Sequence, residues 1–338
     1  MKYFLLFALT FLVCLAGCKK ENGTGCVFVP DTKVISVNIN WEALEDSLPA
    51  VKTKKQLVGF LTRHPFFRDQ FLGRPNYPND SAFINDLFRR FTHPAIDTLL
   101  SETHRIFGDN SKLKQEFTQA FTNVKYYYPD FRVPKIQTAM TGLLDGADLL
   151  VSDSLIIIGL DFYLGKSAKY RPNVYEYMLR RYQPNFIVSS VMLLYGIDPA
   201  YNKTNIGDKT VLADMLTYGK AYYFAKHMQP CLADSILIGY SSEEIAGSIE
   251  NENLIYARLI QNEVLYSTSH QIKQKYIEER PKTLEVGEKC PGRIATWIGW
   301  QIVNAYMKHE DETTLPELMN LTSPEKLFKD SKYRPEAK

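Results

Sequence analysis

The stretch KIQTAMTGLLDGADLLVSDSLIIIGL, residues 135–160, sets the fold class. Lys135–Leu143, Ala147–Ser152 and Leu155–Leu160 are β-branched or apolar runs, the composition that suits a pleated, half-buried surface. Asp145-Gly146 and Ser152-Asp153-Ser154 separate them as turns. The reading predicts a small antiparallel sheet. Upstream, from about Lys52 to Tyr128, the pattern is helical and punctuated by Pro65, Pro75, Pro78 and Pro94. Phe117, Phe121 and Val124 share one face of a helix that Ser111 is placed to cap. Further upstream, Ile35, Val37, Ile39 and Trp41 alternate with polar neighbours, as in a half-buried strand.

Downstream the chain is helical again. Leu212, Met215, Leu216, Gly219 and Tyr223 share a face. Ser241 and Glu244 form a capping box ahead of Ile245, Ile249, Tyr256, Ile260 and Val264. Ile294, Trp297, Ile298 and Ile302 mark a helix after Pro291, and Thr314 with Glu317 repeats the box. No internal repeat, heptad run or low-complexity linker interrupts the body. The expectation is a mostly helical α+β fold with a small antiparallel sheet in the middle, forming a single domain over 32–338.

Composition agrees with a packed body: 338 residues, 45% hydrophobic and 23% charged, exclude a disordered chain. Forty Lys and Arg against thirty-eight Asp and Glu leave +2, which gives no basic surplus for a nucleic-acid partner.

The N-terminus decides the compartment. Lys2 precedes an apolar run, Phe4–Gly17, shorter than the roughly 20 residues a membrane-spanning helix needs. The run ends in Leu15-Ala16-Gly17-Cys18, which reads as a lipobox. Residues 1–17 are therefore expected to be a lipoprotein signal peptide. Cys18 is expected to carry the acyl chains (palmitate among them), and residues 18–31 to form a lipidated tether. Lys19 in place of Asp favours the outer membrane and, by our reading, its periplasmic side, with the cell surface as the alternative. Of five cysteines, Cys14 leaves with the signal and Cys18 is acylated. Cys26, Cys231 and Cys290 remain in an oxidising compartment. Cys231 and Cys290 both lie beside prolines in turn-like segments, so they are the expected disulfide; three free thiols is the alternative.

Catalytic signatures are missing. The six histidines, His64, His93, His104, His227, His270 and His309, include no pair three or four apart, so no His-Glu-x-x-His zinc helix exists. No Gly-x-Ser-x-Gly, P-loop or Ser-x-x-Lys set occurs. Glu243/Glu244 and Glu250/Glu252 read as capping and solvated carboxylates. A glycosidase pair distant in sequence stays open. No cofactor or metal is expected.

The block Ile158-Gly159-Leu160-Asp161-Phe162-Tyr163-Leu164-Gly165, continuing into Tyr177-Met178-Leu179-Arg180-Arg181, resembles the gliding-motility lipoprotein GldB family. Ile238-Gly239-Tyr240, Leu265-Tyr266-Ser267 and Pro291-Gly292-Arg293 through Val303 resemble it too, as do Tyr126–Pro129 and Ser331-Lys332-Tyr333. The resemblance implies an envelope lipoprotein tied to the gliding machinery and its secretion system, with other proteins of that machinery as partners. More distantly, the chain resembles predicted zinc peptidases of the His-Glu-x-x-His type. That likeness implies a zincin-like, degenerate metallopeptidase scaffold. The metal helix would fall at Phe186–Tyr195, and a third ligand at Tyr218 within Thr217–Tyr223, with no His or Glu at any of these places.

The expectation is therefore a non-catalytic pseudo-peptidase that acts through protein contacts. The alternatives are a periplasmic peptide- or glycan-binding module, or a hydrolase with an unrecognised site. The candidate cleft comprises Asp161, Tyr163, Arg180, Tyr218, Lys220, Glu252 and Arg293, with Arg181, Tyr222, Trp297 and Trp300 beside them.

Overall fold

The structure is a computed structural model that describes residue 26 and residues 28–336. The signal peptide, Cys18 and most of the tether lie outside the described residues. A short strand, β1 (Trp41–Ala43), is followed by helices α1 (Lys54–Arg63), α2 (Asp80–Phe91), α3 (Ala95–Phe107) and α4 (Ser111–Tyr127). Strands β2 (Lys135–Ala139), β3 (Leu149–Val151) and β4 (Leu155–Gly159) come next. The remainder is helical: α5 (Ile187–Ile197), α6 (Val211–Met228), α7 (Asp234–Ile238), α8 (Ser242–Glu250) and α9 (Glu252–Gln261). It ends in α10 (His270–Tyr276), α11 (Ile294–His309), α12 (Leu315–Asn320) and α13 (Pro324–Asp330).

The α+β class holds, but the sheet is mixed rather than antiparallel. Its order is β1-β2-β4-β3, with β1 parallel to β2 and β2 parallel to β4; only β3 and β4 run antiparallel. The cause lies between β2 and β3. Asp145-Gly146 is not a two-residue hairpin turn but part of an excursion that carries the chain past β2, so that β3 returns on the far edge of β4. The buried Asp161 carboxylate braces this excursion. It accepts the amides of Thr141 (2.9 Å) and Leu143 (2.7 Å) and the Thr141 hydroxyl. The expected turn at Ser152-Asp153-Ser154 does join β3 to β4, closed by the Ser152 hydroxyl donating to the Leu155 carbonyl.

Both faces of the sheet are covered, which explains why β4 is apolar throughout instead of alternating. Ile136, Ile156 and Ile158 enter a large core with α4, α5, α6 and α11. Ala139 and Ile157 enter a second core beneath α1, α2 and α3. The upstream segment keeps its alternation, with Val37, Ile39 and Trp41 packed on the large core, although ladder pairing begins only at Trp41.

At the centre, α6 and α11 cross in backbone contact. A Cβ on Gly299 would lie 1.9 Å from the Met215 carbonyl oxygen, and one on Gly219 would lie 2.3 Å from the Gly299 oxygen. Only glycine permits that approach. The two expected capping boxes, Ser241/Glu244 and Thr314/Glu317, are present. Ser111 caps nothing: Asn110 precedes α4, and its side-chain amide donates to Glu45 (2.7 Å). Ile249 and Ile260 are exposed, because the helix breaks at Asn251 and the phase shifts to bury Ile255 and Leu259.

The disulfide joins Cys26 to Cys231, not Cys231 to Cys290. The reason is packing. The 37–41 segment lies along the large core, and the tether just before it reaches the turn after α6 where Cys231 stands. Cys290 is held apart in a turn of its own. There its carbonyl accepts the Thr283 amide (2.9 Å), and burial pushes its free thiol up to about 12. Among the described residues, no helix is long and apolar enough to cross a membrane.

Candidate functional site

Three segments far apart in sequence converge at one edge of the large core: 175–183, the α7–α8 junction and 279–293. Between them runs an open groove of about 1090 Å³. Arginines build its wall. Arg180, on a short 3-10 turn (Leu179–Arg181), pairs through its guanidinium with Glu244. Glu244 is also the capping residue of α8 and accepts the Ser241 amide (2.8 Å). One carboxylate therefore fixes a helix start and an arginine together. Burial raises the Glu244 pKa, but Arg180 and the Ser241 amide outweigh it, and the net shift is downward.

Beside this pair, Glu279 receives Arg181 (2.8 Å) and Arg293 (3.4 Å). Arg293 also donates to the Ile238 carbonyl (2.6 Å) and the Tyr222 hydroxyl (3.3 Å), and lies over the Tyr240 ring. Burial alone would lower its pKa; Tyr222, Tyr240 and Glu279 more than offset that, and it is raised. Gly239 makes room for the crossing. Its φ is +75°, and a Cβ there would meet the Arg181 side chain at 2.6 Å. The Tyr240 hydroxyl donates to the Gly292 carbonyl (2.6 Å), tying two of the three segments.

The surface left for a visitor is aromatic, with the exposed side chains of Lys166 and Glu176 beside the rings. Tyr175, 74% exposed, stacks on Tyr177 with ring centres 5.9 Å apart. Ser235 and Ser242 add hydroxyls. Glu244 and Glu279, which stand in the wall, are both engaged by guanidinium groups.

The expected cleft residues separate into two sets. Arg180, Arg181 and Arg293 meet in this wall, with Tyr222 behind them. The others do not line it. Asp161 braces the sheet excursion, and its pKa is raised by burial against the pull of its amide donors. Tyr163 is buried in the large core with its ring 5.7 Å from Tyr182. Glu252 accepts the Tyr333 hydroxyl (2.8 Å), pinning the C-terminal segment. Trp297 and Trp300 are core, and Tyr218 packs partly buried against it.

Lys220 is wholly buried. Its Nζ donates to the Thr204 hydroxyl (3.0 Å) and the Leu321 carbonyl (2.8 Å), and burial depresses its pKa to about 7. Sequence reasoning missed Tyr175, Glu279 and the pairing role of Glu244. The one legible hint was the charged run Glu278-Glu279-Arg280 ahead of Pro281.

The stretches Phe186–Tyr195 and Thr217–Tyr223 fall on α5 and α6, which pack directly. A Cβ on Gly196 would lie 2.8 Å from the Ala221 backbone, and Asn202 bridges the Gly196 and Thr217 carbonyls. Among the described residues, no three His, Cys, Asp or Glu side chains gather in a way that could hold a metal.

The sequence profile of gliding motility protein GldB matches residues 26–335, nearly the whole body. The chain belongs to the GldB family. No curated protein and no solved structure matches it. Membership makes this a gliding-motility-associated lipoprotein of the cell envelope. Three of the blocks on which the GldB resemblance was drawn, Tyr177–Arg181, Ile238–Tyr240 and Pro291–Arg293, are the segments that meet at the groove. The zinc-peptidase likeness has no such match.

Proposed function

We propose that this GldB-family chain is an outer-membrane lipoprotein, acylated at Cys18 and facing the periplasm, that serves the gliding machinery without catalysis. Its groove takes a segment of another envelope protein. The observation that carries this reading is the pairing of the wall's charges. Glu244 and Glu279 are bound by guanidinium groups, and the net shift at Glu244 is downward, whereas a general acid needs a carboxyl whose pKa is raised. A wall of ion-paired arginines beside the exposed Tyr175 suits recognition, because tyrosine supplies contact area at small entropic cost. In this reading the α5–α6 pair is a peptidase-like frame that keeps a binding function without ligands for zinc.

A photoreactive residue at Lys166, an exposed position in the groove lining, tests the proposal in native membranes. One envelope protein should crosslink there and not from Leu284, an exposed control position. Equal adducts from both positions would count against a groove-borne partner. The stacked Tyr175–Tyr177 pair also favours a second reading, a glycan-binding module, since sugar rings stack on flat aromatic surfaces. Thermal stabilisation by cell-wall glycan fragments, lost in Tyr175→Ala, would support that reading over a protein partner.

A further inference from the structure

We infer that the end of the molecule around the Cys26–Cys231 disulfide is the face that rests on the bilayer, with Phe28, Val29 and Val34 entering the headgroup layer. The inference rests on acylation of Cys18. Cys26 is only eight positions beyond Cys18. A chain of that length reaches about 29 Å at most. The disulfide fastens that short leash to the turn after α6. Without it, the leash would run on at least to Pro30, the next buried residue, and its reach would grow by about half or more.

The fastened end carries what a lipid surface takes up. Phe28 and Val29 are more than half exposed and Val34 is 95% exposed, all within nine positions of Cys26. Tyr126, also exposed, is brought near by the bond from Asn123 to the Met228 carbonyl and by the Tyr127–His227 ring contact. Tyrosine is favoured at headgroup depth. Most charges nearby are matched: Lys33 faces Asp31, and Lys226 faces Asp234, against the single cation of Lys125 beside Tyr126. The face therefore suits a zwitterionic surface by apolar insertion rather than an anionic one by charge. The opposite end of α6 lies about 27 Å away along the helix. There Leu265 and Ser267 accept the Leu212 and Val211 amides, so Tyr266 marks the far pole.

The test uses the full acylated chain in phosphatidylcholine vesicles containing brominated lipid, which quenches tryptophan at the surface. Val34→Trp should lose most of its added emission and Tyr266→Trp should keep it. Adding Cys26→Ser to Val34→Trp should restore much of the lost emission, because the leash lengthens. Positions 34 and 266 are both exposed, so neither tryptophan disturbs packing. Protein that floats with the vesicles but shows no quenching at 34, or equal quenching at both positions, overturns the orientation while leaving the anchor intact. Quenching unchanged by Cys26→Ser overturns the role of the disulfide. Protein that does not float refutes acylation, and the orientation with it.

Discussion

Two buried cations near the α6–α11 crossing are treated in opposite ways. Arg293, at the groove, has a carboxylate, a carbonyl and two tyrosines around it, and its charge is held. Lys220, inside α6, has a hydroxyl and a carbonyl but no carboxylate, and burial depresses its pKa. The groove wall is thus a region where each arginine is given a carboxylate partner by the fold. The helix interior is one where a charge is tolerated only by weakening it. The comparison separates residues that shape a surface from residues that a pattern alone would have placed there.

The severest way to break the comparison is to remove the contact on which both regions hang. Gly299→Val would drive a side chain into the Met215 carbonyl and should cost more than about 4 kcal/mol, or prevent folding. Chemical denaturation checks it. Arg293→Met should cost about 1–3 kcal/mol by leaving the Ile238 carbonyl and Tyr222 without this donor, while Glu279 keeps Arg181. That loss should be the same at pH 6 and pH 9.

Lys220→Met sharpens the contrast, because its effect depends on pH. The folded pKa, about 7, lies below that of the unfolded lysine, so between these values the unfolded chain binds the extra proton. Stability from this group therefore rises as pH increases from about 7 toward 10, and the penalty is fully present below 7. Lys220→Met should stabilise the protein by about 1–3 kcal/mol at pH 6, with the gain shrinking or reversing by pH 9 as the lost hydrogen bonds dominate. Melting curves across that range decide it. The smallest effect is expected at the groove mouth. Tyr175→Ala should change stability by less than about 0.5 kcal/mol while abolishing capture of the partner, as crosslinking yield would report.

Much of the frame was legible in residues whose burial follows a simple period. Phe117, Phe121 and Val124, the Ser241 and Thr314 boxes, and the strands in 135–160 all sit where the pattern put them. The sheet's parallel pairing was not legible. It depends on Asp161 bracing an excursion twenty positions earlier in the chain, and turn chemistry alone cannot signal that. The Cys26–Cys231 pairing was hidden for the same reason, since a separation of 205 positions carries no local signal. At the site, Arg180 and Arg293 were found because charged residues stood inside the family-like blocks. Asp161, Lys220 and Glu252 were polar residues doing structural work, and only burial and partners distinguish the two kinds.

The central claim is that the groove recognises and does not react. Mass spectrometry of a peptide and cell-wall glycan library, incubated with the purified protein, addresses it most directly. The account predicts that every mass is unchanged after prolonged incubation, for the wild type and for Glu244→Gln alike. A product formed by the wild type and missing with Glu244→Gln would contradict it.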